Sequence, residues 1–237
     1  MINNKISICM ATYNGEKYIY QQIKSILNQL SALDELIISD DGSKDQTILI
    51  LESFNDTRIK IFKNEKSNGP VGNFENALSK AKGDIIFLAD QDDVWLPGKI
   101  NTHTLLHEKY DLVISDAKVV NEAGDMIYES FFKERDSRPG LFNNLIKNSY
   151  IGCCMSFNRR ILNYALPFPA YIHMHDWWIG LIGELKGHTI FCNDQLMNYV
   201  RHQNNASPTL SRSGYSGLKR LKNRVQLIYG LFFIVFK

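Results

Sequence analysis

The sequence predicts an α/β fold, with one domain built on a mostly parallel central sheet that is flanked by helices and joined to a smaller mixed half. Two patterns carry this prediction. Apolar, β-branched segments alternate with segments of helical apolar spacing through the first half of the chain, which is typical of parallel sheets covered on both faces. Polar turn residues also follow each early strand. With 237 residues, 44% of them hydrophobic, the chain is long enough to bury one sizeable core.

The first half contains five predicted strands and four predicted helices. The strands are predicted at Lys5–Ala11, Glu35–Ser39, Arg58–Phe62, Asp84–Ala89 and Asp111–Ser115. The helices between them are predicted at Glu16–Leu30, Asp45–Phe54, Val71–Ala81 and Pro97–Tyr110. In the first helix, apolar residues recur every three or four positions, as at Ile19, Ile23 and Ile26, so one face can pack on the sheet. Proline suits the first turn of the last helix.

The second half of the chain is less regular. We predict a hairpin over Lys118–Phe132 that turns at Glu122–Asp125, a buried strand at Tyr150–Phe157, a helix at Asp176–Leu185, and late strands at His188–Cys192 and Gln195–Arg201. The sequence shows no repeat, low-complexity segment or linker that would divide it. We therefore expect a single domain over residues 1–207, with one half at about 1–116 and a second half at about 117–207.

Composition excludes some partners. The net charge of +2 is too small to indicate nucleic-acid binding. The four cysteines, Cys9, Cys153, Cys154 and Cys192, lack metal-ligand spacing, so we interpret them as buried thiols in a reducing compartment. The first residues do not resemble a secretory signal peptide. We therefore expect a cytoplasmic protein.

The tail at 208–237 raises a membrane question. It carries basic residues and no acid, and then the apolar run Leu227–Phe236, which is about half the roughly 20 residues that a spanning helix needs. One interpretation is a helix that lies on the inner face of the membrane, where basic residues are attracted to anionic lipids. The other is a core helix whose last turn docks on the domain. A third is that the sequence is part of a longer chain.

Polar residues collect where the early strands end. Because ligands bind beyond the carboxyl ends of parallel strands, four such loops at one sheet edge indicate a built site. The loops are Thr12-Tyr13-Asn14-Gly15, Asp40-Asp41-Gly42-Ser43, Ser67–Asn73 and Asp90-Gln91-Asp92-Asp93.

The last of these loops crowds three acids together. A helix N-cap near Pro97 would explain one of Asp92 and Asp93, but it leaves the mutual repulsion of all three uncompensated. Carboxylates at this density suit Mg²⁺ or Mn²⁺, which share their coordination shell with phosphate oxygens. We therefore predict a cation that holds a diphosphate. Asp41 then suits a nucleobase or ribose, and Tyr13 either stacks on a base or packs at the strand end.

These motifs resemble the glycosyltransferases of family 2, which have the Rossmann-like GT-A fold. The resemblance rests on ATYNGEKYI, SDDGSKDQT, SNGPVGNFENAL, LADQDDVWLPGKI, GCCMSFNR, MHDWWIGLI and YVRHQNNAS. It covers roughly Lys5–Ser207, and the order and spacing of the motifs make it specific. HDWW followed by Y-x-R-H-x-x-N is most similar to bacterial rhamnosyltransferase-type enzymes of capsule, O-antigen and cell-wall polysaccharide synthesis.

The resemblance implies a role for each motif residue. Asp176 would be the catalytic base, although a helix N-cap is the alternative. Asp90 and Asp92 would form the D-x-D motif that binds the metal, with Asp92 as the direct ligand and Asp90 nearer the ribose. His202 would also approach the metal or the diphosphate; for His202 a surface or core position is the alternative. The nucleotide-binding residues would be Thr12, Tyr13, Asn14, Asp41, Asn73 and Asp90. The acceptor-side residues would be Gly152, Cys153, Trp177 and Trp178. One tryptophan would stack on a sugar and the other would pack in the interior. For Cys153 the alternative is that it only fills space in the core.

The resemblance further implies an inverting, metal-dependent transfer of sugar from a nucleoside-diphosphate sugar to a hydroxyl group. The donor would be a UDP- or dTDP-sugar, with dTDP-rhamnose suggested by the closest motifs. The acceptor would be a glycan or a polyprenyl-linked sugar. A catalytically inactive nucleotide-sugar-binding scaffold is the alternative function, but the presence of both Asp92 and Asp176 favours an enzyme. A nucleotidyltransferase is disfavoured because no glycine-rich, lysine-bearing phosphate loop follows the first strand.

Overall fold

The structure is a computed structural model that describes residues 4–203, 205 and 216–236. The strands are β1 (Ile6–Thr12), β2 (Glu35–Asp40), β3 (Ile59–Lys63), β4 (Ile85–Asp90), β5 (Val94–Trp95), β6 (Leu112–Asn121), β7 (Met126–Tyr128), β8 (Met155–Asn158) and β9 (Thr189–Arg201). The helices are α1 (Ile19–Leu27), α2 (Thr47–Ser53), α3 (Pro70–Lys80), α4 (Lys99–Leu106), α5 (Phe131–Arg135), α6 (Leu141–Ile146), α7 (Arg159–Ala165), α8 (His175–Lys186) and α9 (Gly217–Val235). A short 3-10 helix spans Gly152–Cys154.

The described strands form one sheet in the order β3-β2-β1-β4-β8-β6-β9-β5, with β7 beside β6. The first four strands in this order are parallel. In the other half β8 runs antiparallel to both of its neighbours, whereas β6 and β9 are parallel. The sequence-based prediction of a mostly parallel sheet with a mixed second half is therefore confirmed.

Burial explains why the parallel half forms where it does. The central strands β1, β2 and β4 are buried along almost their whole length, and Ile8, Cys9 and Met10 of β1 are completely buried, as expected for a sheet covered on both faces. Helix α1 buries Ile19, Ile23 and Ile26, the positions that its helical spacing places on one face. These packed strands end together at the edge that carries the polar loops.

Two predicted helices begin later than expected. The Gly15 carbonyl accepts the N–H groups of Tyr18 and Ile19, so a turn occupies the start of the predicted first helix. Helix α4 begins after Gly98, whose φ of 91° lies in the left-handed region that favours glycine. Pro97 therefore precedes α4 and is not in its first turn.

Three predictions for the second half are corrected by the pairing of strands. The two late strands are one continuous strand, β9, which follows β6 in parallel with register shifts near Asp116. The predicted strand at Tyr150–Phe157 begins as a 3-10 helix, and only its last part pairs with β4 and β6. The predicted hairpin forms between β6 and β7, but β7 is short and α5 follows it.

Helix α9 packs against α8 along its inner face. Leu227, Leu231 and Ile234 are buried there, and a Cβ at Gly230 would lie 2.9 Å from the Trp178 ring. The core-helix interpretation of the tail is therefore correct for this face, over several turns and not only the last. Among the described residues, no helix has the length and apolar character needed to cross a bilayer.

Candidate active site

A cavity of about 370 Å³ opens at the carboxyl ends of β1, β2 and β4 and is closed by the start of α8. This is the sheet edge at which the sequence predicted a ligand site. The predicted site residues that line the cavity are Thr12, Tyr13, Asp41, Asn73, Asp90, Asp92, Gly152 and Asp176. The fold therefore brings residues from both halves of the chain into one space.

Asp41 and Asn73 define one end of the cavity. The Asp41 carboxylate accepts hydrogen bonds from the Asn64 side chain and from the Gly69 backbone N–H, both at 2.7 Å, which fixes it between two loops. The Asn73 amide donates to the Thr12 carbonyl at 3.0 Å, while its Oδ1 is buried and has no partner among the described residues. Because an unsatisfied buried acceptor is costly, Asn73 is suited to accept a hydrogen bond from a bound ligand.

Tyr13 presents its ring to the cavity and is 55% exposed. The Gln91 side chain holds the Tyr13 backbone by accepting from its N–H at 3.0 Å and donating to its carbonyl at 3.1 Å. Gln91 was missed in the sequence, although it lies inside the acidic motif. Asn14 does not line the cavity. Its side chain accepts from the Lys44 N–H at 2.8 Å, so it joins the first two loops and does not reach a nucleotide here.

The acidic motif contacts His202 through Asp92. Oδ2 of Asp92 lies 2.8 Å from Nε2 of His202 and accepts from the Asn205 amide at 3.3 Å. The His202 ring stacks on Tyr18 at a centroid distance of 4.5 Å. Desolvation, followed by the charges of Asp92 and Asp176, raises the pKa of Asp90 to about 7. The cavity wall therefore holds crowded negative charge.

Asp93 takes a different role from its neighbours. It does not cap α4, whose N-cap is Gly98. It is buried and accepts from the Val200 N–H at 3.0 Å, and its Oδ2 has no partner among the described residues. Ligand atoms of Asp90, Asp93 and Cys153 lie within 4.8 Å of one another. Burial raises the pKa of the Asp93 carboxyl and of the Cys153 thiol well above their usual ranges.

Cys153 therefore lies behind the cavity wall near the acids, which agrees with the alternative that it only fills space in the core. It is completely buried and absent from the cavity lining. Buried Lys99 donates to the Cys153 carbonyl at 2.6 Å and stands over the Trp95 ring. Lys99 was missed because nothing in its sequence context indicates that a lysine is buried.

Two sets of side chains can be compared as cation ligands. Asp90 and Asp92 offer carboxylate oxygens at the cavity, and His202 offers an imidazole nitrogen that contacts Asp92 although it does not line the cavity. Desolvation, and after it the neighbouring carboxylates, raises the Asp90 pKa. Carboxylate ligands suit Mn²⁺ and Mg²⁺. The set with Cys153 includes a sulfur ligand, which is soft and suits zinc or copper rather than Mn²⁺ or Mg²⁺. The first set therefore fits these cations better.

Asp176 lies in the first turn of α8, across the cavity from this wall. It is not the N-cap, since Met174 occupies that position. Its Oδ1 accepts from the Trp177 N–H at 2.7 Å. Burial raises the pKa of Asp176 to about 6, while hydrogen bonds from the Trp177 and Gly152 backbones act in the opposite direction. Asp176 is therefore ionised at neutral pH but more basic than an ordinary aspartate.

His175 also lines the cavity. The HDWW motif located this residue but assigned no role to it. Its ring stacks on Phe74 at 4.0 Å, and its Nε2 is buried with no partner among the described residues. Burial lowers the pKa of His175 to about 3, so the ring is neutral. A Cβ on Gly152 would lie 3.3 Å from this Nε2, so the glycine leaves room beside the imidazole.

Trp177 and Trp178 both pack in the interior, so the prediction that one of them stacks on a sugar is wrong. Each is at most 8% exposed and neither lines the cavity. Their indole N–H groups donate to the carbonyls of Asn144 at 2.8 Å and Ala165 at 3.0 Å. The residues with aromatic rings that do line the cavity are Tyr13, Phe74, Tyr150, His173, His175 and Tyr199.

The fold is similar to solved glycosyltransferase structures. TarS 1-349 of S. aureus in complex with UDP-GlcNAc matches with a TM-score of 0.74 and 20% identity, over 96% of this chain and 66% of that chain. The mannosyltransferase PcManGT of Pyrobaculum calidifontis in complex with GDP-Man and Mn²⁺ matches with a TM-score of 0.61 and 18% identity, over 97% of this chain and 64% of that chain. At these identities the matches establish the GT-A fold.

Curated relatives are more similar in sequence. WfgD of Escherichia coli, a UDP-Glc:alpha-D-GlcNAc-diphosphoundecaprenol beta-1,3-glucosyltransferase, is 29% identical over 91% of this chain and 83% of its own length. WfaP of the same organism, described by the same activity, is 30% identical over 76% of this chain and 70% of its own length. The family model described as glycosyl transferase family 2 matches residues 7–165. The chain therefore belongs to glycosyltransferase family 2 and is a glycosyltransferase.

Proposed function

We propose that the protein transfers a sugar from a UDP-sugar to a hydroxyl of a lipid-linked or glycan acceptor, with inversion at the anomeric carbon and dependence on Mn²⁺ or Mg²⁺. One observation carries the proposal: a basic carboxylate, Asp176, lines the same cavity as Asp90 and Asp92, and His202 contacts Asp92 from outside the lining. Asp176 can take a proton, and the acidic wall suits a cation that holds a diphosphate.

The reaction needs few groups. Asp176 accepts the proton of the acceptor hydroxyl while its oxygen forms a bond to the anomeric carbon. The bond from that carbon to the diphosphate breaks at the same time, and the nucleoside diphosphate leaves with the electron pair. Attack opposite the leaving group inverts the carbon. Asp92, His202 and Asp90 would hold a divalent cation, which neutralises charge on the leaving diphosphate when bound.

The donor proposal rests on the relatives and on the polar end of the cavity. WfgD and WfaP are both described as using UDP-Glc, so UDP-glucose is the first donor to test. Asp41 is fixed by two hydrogen bonds at the place where a base would be held, and Tyr13 offers an exposed ring. Uracil and thymine both carry an N3–H, so dTDP-rhamnose stays a prediction that the same test addresses.

The acceptor proposal rests on the printed activities of the relatives. Both E. coli relatives act on a GlcNAc-diphosphoundecaprenol, so we propose a polyprenyl-diphosphate-linked sugar in bacterial surface polysaccharide synthesis. Such an acceptor would place the protein in the cytoplasm, at the inner face of the membrane.

Binding and transfer are tested in sequence. Calorimetric titration with UDP, dTDP, GDP and CDP, each with Mn²⁺, Mg²⁺ or EDTA, should show cation-dependent binding of UDP. UDP-glucose and a GlcNAc-diphospholipid should then give a product whose new linkage is of the opposite anomeric configuration to the donor by NMR. Retention of configuration would exclude the in-line mechanism. UDP binding without transfer to any acceptor tested would favour the inactive scaffold.

A further inference from the structure

Helix α9 is apolar on two opposite faces. Its inner face packs on α8 through Leu227, Leu231 and Ile234. Its outer face is defined by Leu221, Val225, Ile228, Tyr229, Phe232 and Phe233, which are each between 53% and 59% exposed. These residues are spaced so that they lie on one side of the helix. Packing within the described chain thus accounts for the inner face only.

The neighbouring helix α6 extends this apolar surface. Arg224 of α9 donates to the backbone carbonyls of Leu145 and Ile146, which ties the two helices together. Phe142 and Ile146 of α6 are 79% and 70% exposed. Exposed apolar side chains that collect on neighbouring helices mark a site of interaction with another apolar phase or partner.

The charges at the start of α9 indicate what covers this surface. Lys219, Arg220 and Lys222 are exposed in its first two turns, and the chain contains no acid from Pro208 to Lys237. Cations beside large apolar side chains are the pattern of helices that lie in the headgroup region of anionic bilayers. The interior of a protein interface, in contrast, is depleted of lysine.

We propose that the outer face of α9, together with Phe142 and Ile146 of α6, docks on an anionic membrane surface. The helix lies along the bilayer, because no described helix is suited to span it. Its apolar side chains enter the region between headgroups and acyl chains, while Lys219, Arg220 and Lys222 contact lipid phosphates. The inner face stays on α8, so the whole domain is held at the surface.

Docking in this orientation concerns the active site as well. Burial lowers the pKa of His173, and the charge of Lys219 lowers it further. The start of α9 therefore lies near His173, which lines the cavity. Tyr229 of the outer face also contacts Tyr171 edge to face. Docking therefore brings the His173 side of the cavity close to the bilayer. This use of the surface rests on the proposed lipid-linked acceptor, whereas docking itself does not.

Vesicle flotation tests the proposal. The full chain is mixed with phosphatidylcholine vesicles that either contain or lack phosphatidylglycerol. We expect binding only where phosphatidylglycerol is present. Binding to these vesicles should weaken by about tenfold or more in the double variant Phe232→Ser/Phe233→Ser. The triple variant Lys219→Gln/Arg220→Gln/Lys222→Gln should bind no better to vesicles that contain phosphatidylglycerol than to vesicles that lack it. The matched control Met126→Ser/Ile127→Ser removes exposed apolar side chains on β7 and should bind as the wild type does.

Three outcomes would overturn the proposal. The first is that the wild type does not bind anionic vesicles. The second is that the control and the Phe232/Phe233 variant lose vesicle binding equally. The third is that the wild type is a stable dimer, which the Phe232/Phe233 variant converts to a monomer with no change in vesicle binding. Unchanged near-ultraviolet circular dichroism verifies folding.

Docking and the reaction can be tested separately, because Asp176→Asn should nearly abolish transfer and keep vesicle binding. The Phe232/Phe233 variant should keep transfer to a water-soluble acceptor and lose transfer to an acceptor in vesicles.

Discussion

Asp176 is the residue on which the proposed chemistry depends most. Asp176→Asn keeps the shape and an acceptor for the Trp177 N–H, but an amide cannot take the hydroxyl proton. We expect transfer to fall by about 10²- to 10⁴-fold, while UDP affinity changes little, in initial-rate and calorimetric measurements. Asp136→Asn is the control, since that acid is exposed and pairs only with Arg138 among the contacts described. Near wild-type transfer by the Asp176 variant would remove the base assignment.

The pH dependence of transfer follows from the same carboxyl. A base must be unprotonated, and burial raises the pKa of Asp176 to about 6. We therefore expect kcat/KM, measured at saturating Mn²⁺, to be lost as the pH falls through about 6. Saturating cation is needed because desolvation and the neighbouring carboxylates raise the pKa of Asp90 to about 7, so cation binding itself weakens below that pH. A cation bound at the acidic wall would move this midpoint down, because positive charge favours the carboxylate. The residual activity of Asp176→Asn should lack the step, and a midpoint well above 7 in the wild type would contradict the assignment.

Asp92 and Cys153 distinguish the two cation-ligand sets. If the set with His202 is correct, Asp92→Asn should weaken Mn²⁺-dependent UDP binding by about 10- to 100-fold, because the amide carries no charge. Cys153→Ser should leave it nearly unchanged. Calorimetry with and without EDTA provides the measurement. A larger effect in the Cys153 variant would favour the buried set.

Sequence motifs located most of these residues but not their environments. Asp92 and His202 are more than a hundred positions apart, and the family pattern alone brought them together. The packing of Trp177 depends on which neighbours approach from α6. The surroundings of His175, whose Nε2 has no partner in the described part of the chain, depend on α3 and the 3-10 helix. Such contacts are set by tertiary packing, so spacing along one helix cannot give them.

At the scale of elements, local signals predicted the strands and helices that form from nearby residues. The alternation of β1 to β4 with α1 to α3 is periodic and was predicted correctly. In contrast, β5 is two residues long. Strand β9 continues past Asn193 and Asp194, which have no β6 partner in the register, because β6 pairs with it both before and after them. Polar residues in that stretch favour a turn, and long-range pairing overrides this preference.

The loop before α3 depends on a close approach that only glycine allows. A Cβ at Gly72 would lie 1.9 Å from the Ser67 carbonyl oxygen, and backbone cannot yield cheaply. We expect Gly72→Ala to destabilise the fold by about 1–3 kcal/mol and to weaken UDP binding, since the displaced loop includes Gly69, which donates to Asp41. Thermal unfolding and calorimetry measure the two effects. Gly217→Ala has open space and should change neither; equal effects in both variants would contradict the steric explanation.

At the scale of the whole molecule, the sheet order explains how one cavity draws on both halves. Strand β8 inserts between β4 and β6, which places the 3-10 helix and Gly152 beside the acids that end β4. The sequence indicated a mixed half but not this insertion, because antiparallel pairing between distant segments leaves no periodic signal. Gly152 also adjoins Asp176, so the insertion links the acids that end β4 to the start of α8 around one cavity.

Helix α9 has two separable contributions at this scale, and stability measurements can divide them. Deleting residues 217–237 would remove the buried side chains of Leu227, Leu231 and Ile234 and expose the surface of α8 that they cover. Each such side chain contributes about 1.5–3 kcal/mol, against a total stability of about 5–15 kcal/mol. We expect the deletion to lower the urea midpoint strongly, whereas Phe232→Ser/Phe233→Ser should change stability by about 0.5 kcal/mol or less. If the deletion variant lost membrane binding and the Phe232/Phe233 variant kept it, the loss would be explained by unfolding. If instead the deletion were as stable as the full chain, the inner face would contribute little, and α9 would serve the outer surface only.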